Sequence, residues 1–450
     1  MTMFSRTLKD LRRYPSAIFG LTIILLLVVV SVYTVIAIPY EKAIQLWRGS
    51  DNVWYRLPQI AAPAWTNWFR HKKLPETIVL SSIDNPSTKT VTQRSDTRQV
   101  DINFTFDYQY DGFPQDITIY FRPRYTEAQP FTSVTLLTPD GRELRLYDGT
   151  VNTGEVFYVA QDKKLQRRYG DFPQNAVLSA PSSTEQGSMP TTPQKGIYQV
   201  HVSATLFEQE SDLDVECILY GQVYGVAGTD NLRRDLSVAL LWGVPIALVF
   251  GLLAAVGSTF TTMIIAATGT WFGGWLDELI QRIVEINLVL PFLPILIMVG
   301  TFYSRSIWAI LGVTIILNIF GGGVKSFRAN FLQVREAPYI EAARAYGAKS
   351  GRIITSYMVP RLIPLIIPQL VNLIPGYVFL EATLAVLGLG DPVLPTWGKV
   401  IQNAYTGGAL YQGYYYWILE PSILLMITGL AFAMLGFSLD RIFNPRLRSQ

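Results

Sequence analysis

Cysteine is almost missing from this chain of 450 residues: Cys217 stands alone, which excludes an intrachain disulfide and a thiolate metal cluster. Histidine is nearly as scarce. His71 and His201 lie far apart in sequence, so neither a histidine metal site nor a nucleophile–base triad has a local basis, and an intramembrane enzyme is disfavoured. Charge is thin as well: 16% of residues are charged and the net charge is +3, too small a surplus to imply a nucleic-acid partner. A phosphate-cradling loop of the form G-x-x-x-x-G-K-[ST] is also lacking. The nearest approach, Gly323-Val324-Lys325-Ser326, puts Val324 between glycine and lysine and ends an apolar run instead of following a soluble strand. A chain so composed is expected to bind no cofactor and to hydrolyse no ATP of its own.

Apolar sequence is plentiful, since half of the residues are hydrophobic. Crossing a bilayer takes roughly 20 residues, and six runs are candidates: Ala17–Ile38, Val238–Thr268, Ile283–Phe302, Ile307–Phe320, Leu365–Leu387 and Ile418–Phe437; the fourth is short, but the chain must cross there to keep the positive charges on one side. The expected fold class is a polytopic α-helical membrane protein with six transmembrane helices. The first run follows Arg6, Lys9, Arg12 and Arg13, and its length exceeds the roughly 7–15 residues of a signal-peptide core, so a retained anchor is expected. Positive charges crowd the segment between the fourth and fifth runs (Lys325, Arg328, Arg335, Arg344, Lys349, Arg352, Arg361) and the C-terminal end (Arg441, Arg446, Arg448). The positive-inside rule assigns both, with the N-terminus, to the cytoplasm and leaves Thr301–Ser306 and Gly388–Trp417 outside.

Residues 40–225 have another character. Gln99–Tyr110, Asp116–Arg122 and Ile197–Leu206 alternate apolar and polar residues with the period of half-buried strands. Pro139-Asp140-Gly141, flanked by strand-like sequence, predicts a hairpin turn because glycine accepts positive φ. Together they predict a β-rich extracytoplasmic domain, an antiparallel sandwich, between the first and second transmembrane helices. Leu178–Lys195, dense in Ser, Thr, Pro and Gln, reads as a flexible excursion from it. The expected domains are therefore residues 1–39 (tail and first helix), 40–225 (β-rich) and 226–450 (five further helices).

One stretch carries a functional signature. Glu341 to Pro360 reads EAARAYGAKSGRIITSYMVP, with a Glu-Ala-Ala triplet, Gly347 six positions after Glu341 and Pro360 thirteen after that glycine. Small residues permit close approach by another protein, Gly347 permits a sharp turn, and Glu341 and Arg344 offer charge to a partner surface. This stretch resembles the cytoplasmic EAA loop of bacterial ABC importer permeases. Further segments in the same order resemble the C-type permease subunit of the dipeptide, oligopeptide and nickel branch: Gly228-Thr229-Asp230 with Arg234-Asp235, Phe272-Gly273-Gly274 with Asp277-Glu278, Glu381-Ala382 with Leu387-Gly388-Leu389-Gly390, and Pro395-Thr396-Trp397-Gly398. Arg233 stands where that branch usually has glycine, which predicts a different local turn; Tyr357 and Val359 replace commoner Ile and Leu. Residues 40–225 are an insertion relative to typical members, so the resemblance says little about them. They could brace the structure, receive a soluble binding protein or contact another envelope component.

The resemblance implies a permease subunit in a bacterial cytoplasmic (inner) membrane, importing peptides or a related small solute by alternating access. It implies a paralogous B-type permease, two ATP-binding subunits carrying ATP and Mg, an extracytoplasmic substrate-binding protein and membrane lipids as partners. Glu341, Ala342, Ala343 and Arg344 would form the ATPase-coupling face of a lever bounded by Gly347 and Pro360. Buried charge in a membrane is costly, so Glu285 and Glu381 should face protein or water. Glu381 is a candidate for the translocation path, against the favoured reading that both carboxylates satisfy neighbouring helix ends or an arginine of a partner chain. Tyr411, Tyr414, Tyr415, Tyr416 and Trp417 suit an interfacial aromatic belt. A membrane-anchored sensor or envelope scaffold is the competing class, disfavoured because it needs no ATPase-docking loop.

Overall fold

The computed structural model describes residues 14–49, 51–94, 97–180 and 192–443. The basic residues Arg6, Lys9, Arg12, Arg13, Arg446 and Arg448, and residues 181–191 of the expected excursion, lie outside the described residues. The chain falls into two compact units, Gly49–Ser237 and a second built from Met1–Arg48 with Val238–Gln450.

Among the described residues of the first unit, nine strands form two antiparallel sheets. One has the order β1-β9-β4-β7 and the other β2-β3-β8-β5-β6. The strands are β1 Ile78–Ser81, β2 Lys89–Gln93, β3 Arg98–Tyr108, β4 Asp116–Arg124, β5 Phe131–Leu137, β6 Glu143–Thr150, β7 Val156–Tyr158, β8 Gly196–Leu206 and β9 Asp212–Tyr220. Alternation does what the sequence predicts in the long strands: Val100, Ile102, Phe104 and Phe106 of β3 and Val200 and Val202 of β8 turn into one core with Ile119 and Phe121 of β4. Phe106 lies opposite Tyr198 in register, and the rings stack at 5.4 Å. Gly141, at φ +85°, closes the β5–β6 hairpin as expected, and Thr138 accepts its amide at 2.9 Å.

Two features depart from the expected pattern. Leu178 is no part of a loose excursion; it is fully buried in the core, its carbonyl accepting from Gln194 N–H (2.7 Å) and the Tyr198 hydroxyl (3.1 Å). Strand β9 is buried on both faces, including Asp214 and Glu216. Burying a carboxylate demands a partner. Glu216 receives Arg56 at 2.6 Å, Arg122 at 3.3 Å and the Tyr55 hydroxyl at 3.0 Å. Asp214 receives Lys89 and Arg124, each at 2.9 Å, and Ser82. Burial raises the carboxyl of Asp214, but the hydrogen bonds from Lys89 and Arg124 outweigh it and hold the group below the ordinary aspartate range. Cys217, buried beside them, has its thiol pushed up to about 12 by burial.

The second unit is helical: α1 Pro15–Ala37, α2 Leu236–Phe272, α3 Gly274–Val289, α4 Phe292–Phe302, α5 Ile307–Ile319, α6 Gly323–Arg335, α7 Pro338–Ala345, α8 Ser350–Leu389, α9 Trp397–Thr406 and α10 Tyr416–Phe443. Helices α1, α2, α8 and α10 are each long and apolar enough to cross a membrane. The expected third and fourth runs are not straight helices. The α3–α4 pair bends by 78° at Leu290-Pro291, where proline brings no amide proton, and the α5–α6 pair bends by 45° at Phe320-Gly321-Gly322, where glycine weakens the helix. Counting each bent pair as one crossing makes up to six spans among the described residues.

Small residues set the helix contacts, as expected where no hydrophobic force acts between helices in lipid. A Cβ on Gly20 of α1 would come within 2.6 Å of the Ala431 carbonyl on α10, and one on Gly429 of α10 within 2.8 Å of Phe379 on α8. The segment Gly388–Trp417, expected to lie outside as a loop, contains α9. Trp417 is fully buried, so it leaves the expected aromatic belt, whereas Tyr411 and Tyr415 are exposed.

Candidate functional site

Helix α7 carries the Glu-Ala-Ala triplet. Pro338 opens it, where a missing amide proton costs nothing, and Glu341 lies in the first turn, where the helix dipole favours negative charge. Ile340 and Ala343, three residues apart, are both buried, and Ile340 packs in a cluster with Phe331 of α6 and Ile353, Ile354 and Met358 of α8. Glu341, Ala342, Arg344 and Tyr346 stay exposed, Tyr346 at 92%. Ala343 is therefore on the buried side of the helix with Ile340, whereas the expectation placed it on a contact face. The cause is the 3.6-residue period, which sends Ile340 and Ala343 the same way.

The helix ends in a left-handed cap. Gly347 has φ +78°, its N–H bonds Arg344 O at 2.9 Å, and Ala348 N–H bonds Ala343 O at 3.0 Å. This pair of bonds is a Schellman motif, and it explains the glycine. Pro360, expected as the far boundary, does not end a helix. It lies inside α8, just after a π-helical turn at Ile353–Met358, and the helix runs on through it.

The Phe272-Gly273-Gly274 turn meets the same region. Gly273 (φ +64°) and Gly274 (φ +53°) reverse the chain between α2 and α3. Asp277, in the first turn of α3, clamps Arg328 of α6 through both carboxylate oxygens at 2.8 and 2.5 Å. Arg335 donates to Thr270 O at 2.8 Å, and Arg344 of α7 lies 4.3 Å over the Trp271 ring. Four elements are thus tied at one corner: the end of α2, the start of α3, α6 and α7.

Glu381 is buried in a different joint, between α8 and α9, with the Thr396 side chain as hydrogen-bond partner. The Pro395-Thr396-Trp397-Gly398 segment is explained by packing there. Thr396 caps α9 by accepting Lys399 N–H, a Cβ on Gly398 would come within 2.6 Å of Ala382 Cα, and Trp397 fills the space left by Gly243 of α2 while donating to Leu240 O at 2.9 Å. Asp391, in the adjoining turn, accepts Ile307 N–H at 3.0 Å and so caps α5. Glu285, by contrast, is exposed on α3 and pairs with Arg282 at 3.0 Å.

A polar cavity of about 130 Å³ escaped the sequence reading. It lies at the α5–α6 bend and is lined by Ser258, Thr259, Thr262, Asn318, Gln369 and Tyr377, among others. Ser258 and Tyr377 share a hydrogen bond at 2.9 Å, and Thr262 donates to Ile319 O at 3.0 Å, satisfying a carbonyl near the break. The run Ser258-Thr259 with Thr261-Thr262 inside α2 was the available signal.

The Gly228-Thr229-Asp230 segment folds within the β-rich unit. Thr229 accepts Ala61 N–H (3.0 Å) and donates to Pro58 O (2.8 Å), while buried Asp230 pairs with Arg234 at 2.6 Å. Arg233 holds φ +61°, the region that favours glycine.

Comparison with known proteins agrees with these motifs. The family described as "Binding-protein-dependent transport system inner membrane component" matches residues 259–449. The chain is 28% identical over 222 residues to the dipeptide transport system permease protein DppC of Bacillus subtilis, covering 49% of this chain and 68% of that protein. It is 30% identical over 227 residues to DppC of Alkalihalophilus pseudofirmus (49% and 72%), and 29% identical over 225 residues to the oligopeptide transport system permease protein OppC of Bacillus subtilis (49% and 72%).

Proposed function

The chain belongs to the binding-protein-dependent inner-membrane permeases of the dipeptide and oligopeptide type, and we propose that it supplies half of the path of an ATP-driven importer for peptides or a related small solute. Each bent pair counts as one crossing, giving six spans with both termini in the cytoplasm and the β-rich unit between the first and second spans, outside. A B-type permease completes the path. Two partner subunits bind ATP and Mg and perform the hydrolysis. An extracytoplasmic binding protein delivers the solute.

The observation that carries coupling is the construction of α7. Its inward residue Ile340 shares a core with α8, its outward residues Glu341, Ala342 and Tyr346 are exposed to a partner, Arg344 is exposed while stacked over Trp271, and Gly347 ends it abruptly. A partner that moves α7 moves α8 with it, because packed cores shift as units and do not deform continuously. The lever then comprises α7 with α8, and the lever's contact face excludes Ala343. For Glu381, burial beside Thr396 favours a role in holding the α8–α9 joint over contact with solute.

The experiment uses single cysteines in membranes containing the whole transporter. Ala342→Cys and Tyr346→Cys should cross-link to the ATP-binding subunit while Ala343→Cys does not, and Lys349→Cys should react with an impermeant thiol reagent only from the cytoplasmic side, Glu143→Cys only from the other. Reversed sidedness would sink the topology. Cross-linking strongest at position 343 would sink the coupling face.

A further inference from the structure

In the β-rich unit, residues 63–74 form a tied loop that displays aromatic and basic side chains together. The Asn67 side chain donates to Leu74 O (3.0 Å) and accepts Leu74 N–H (3.1 Å), which joins the two ends of the segment between them. The Thr66 hydroxyl bonds Pro63 O at 2.7 Å. On this support Trp68 is 83% exposed and Phe69 80% exposed, with Phe69 set edge-on to Trp65 at 6.3 Å. Arg70, His71, Lys72 and Lys73 follow directly and are all exposed. Two carboxylates lie nearby: Glu76, beside Tyr110, and Asp111, which is committed to Lys195 at 2.6 Å and to Lys73 N–H. The cationic surplus of the loop survives them.

The loop's position gives it a candidate occupant. Trp65 donates its indole N–H to Val226 O at 2.9 Å, and Ala64 N–H bonds Gly225 O at 2.9 Å. Two residues beyond Val226, itself 78% exposed, the carbonyl of Gly228 accepts Leu236 N–H at 3.1 Å, and Leu236 is the first residue of α2. A few backbone hydrogen bonds thus connect the exposed aromatics to the place where an apolar helix of membrane-crossing length begins. Tryptophan favours the membrane–water interface, and basic side chains beside it complement anionic headgroups.

We propose that this loop is an interfacial anchor: Trp68 and Phe69 enter the headgroup–acyl boundary of the membrane surface at which α2 begins, and Arg70, Lys72 and Lys73 engage anionic lipid headgroups. The anchor would fix the β-rich unit against the lipid surface by a contact additional to its covalent tethers. It does not depend on the coupling role of α7.

The test uses the full chain in vesicles of phosphatidylethanolamine and phosphatidylglycerol, with an environment-sensitive fluorophore on Phe69→Cys or, separately, Trp68→Cys. Buried Cys217 remains unlabelled, which the unsubstituted chain checks. A nitroxide near the headgroup end of the lipid chain should quench either probe about threefold more than the same probe on exposed Lys164→Cys. Reversing charge with Lys72→Glu and Lys73→Glu, or using phosphatidylcholine alone, should reduce that quenching to about half. Equal quenching at the loop and at position 164, with aqueous iodide reaching both, would overturn the anchor. Shielding from iodide without lipid quenching, seen only when partner subunits are present, would also overturn it by assigning the surface to a protein.

Discussion

The guanidinium of Arg233 lies 4.1 Å over the ring of Tyr220 while its own backbone holds φ +61°. The same side chain donates to Leu57 O at 2.6 Å. A left-handed backbone disfavours any side chain, so the contacts made by this arginine offset a strain that glycine would not have. An arginine can therefore hold a backbone conformation that favours glycine.

Arg233→Gly relieves the backbone but loses the contacts; Arg233→Ala loses the contacts and keeps the strain. Left-handed strain and a cation–π contact to the buried Tyr220 ring are each worth about 1–2 kcal/mol, so Arg233→Gly should lie within about 1–2 kcal/mol of the parent and Arg233→Ala about 1–2 kcal/mol below Arg233→Gly. Thermal unfolding of the full chain in detergent measures the order. Equal stability of the two variants would refute the strain argument.

Gly347 permits a cleaner separation of shape from space. A Cβ built there meets nothing within 4 Å, so substitution is opposed by φ +78° alone. Gly347→Val should cost about 1–2 kcal/mol locally, loosen the end of α7, and leave a membrane-inserted protein in which ATP hydrolysis no longer drives uptake. Gly347→Asn, the residue next best suited to this cap, should retain most uptake. Uptake lost equally in both variants would point to steric exclusion by a partner instead.

The β-rich unit can be excised where its own pairing brings the chain together. Ala62 and Val223 are bridged, with Tyr224 N–H bonding Ala62 O at 2.8 Å. Joining them by a short glycine linker removes both sheets but keeps Pro58 and Ala61, the partners of Thr229. If the unit docks an extracytoplasmic binding protein, uptake driven by that protein should fall at least tenfold while permease and ATPase subunits still co-purify. Lost assembly would favour a brace, and undiminished uptake would remove the docking role.

Asp214 should make the β-rich unit acid-sensitive. Its folded carboxyl is held below the ordinary value, so its ion pairs contribute stability that is full above the unfolded pKa of about 3.9 and is lost as pH falls through the folded value. Unfolding followed from pH 6 down to about pH 2 should show a steeper loss in the parent than in Asp214→Asn, which has no proton to gain. Parallel curves would show that Lys89 and Arg124 do not act through this carboxylate.

Much of this protein is determined by its sequence alone. Long apolar runs have one low-energy arrangement in lipid, a helix, so α1, α2, α8 and α10 are legible from hydropathy. Alternation betrays β3 and β8 because their period is local, and the Glu-Ala-Ala, Gly and Trp-Gly segments are legible because each is a short local constellation. Even the bends were written at Pro291 and Gly321-Gly322, although a count of apolar residues does not register backbone donors.

What only the tertiary structure decided depends on partners distant in the chain. The burial of β9 hides behind a polar-looking sequence, because Asp214 and Glu216 become buriable only when Arg56, Lys89, Arg122 and Arg124 arrive from elsewhere. Ile340 turns inward because α6 and α8 supply a core on that side, and Arg233 keeps a glycine's conformation because Tyr220 and Leu57 meet its side chain. Local sequence specifies which conformations a segment can adopt; long-range contacts select among them, since the free energy of burying charge, small residues or strain is set by what lies across the contact.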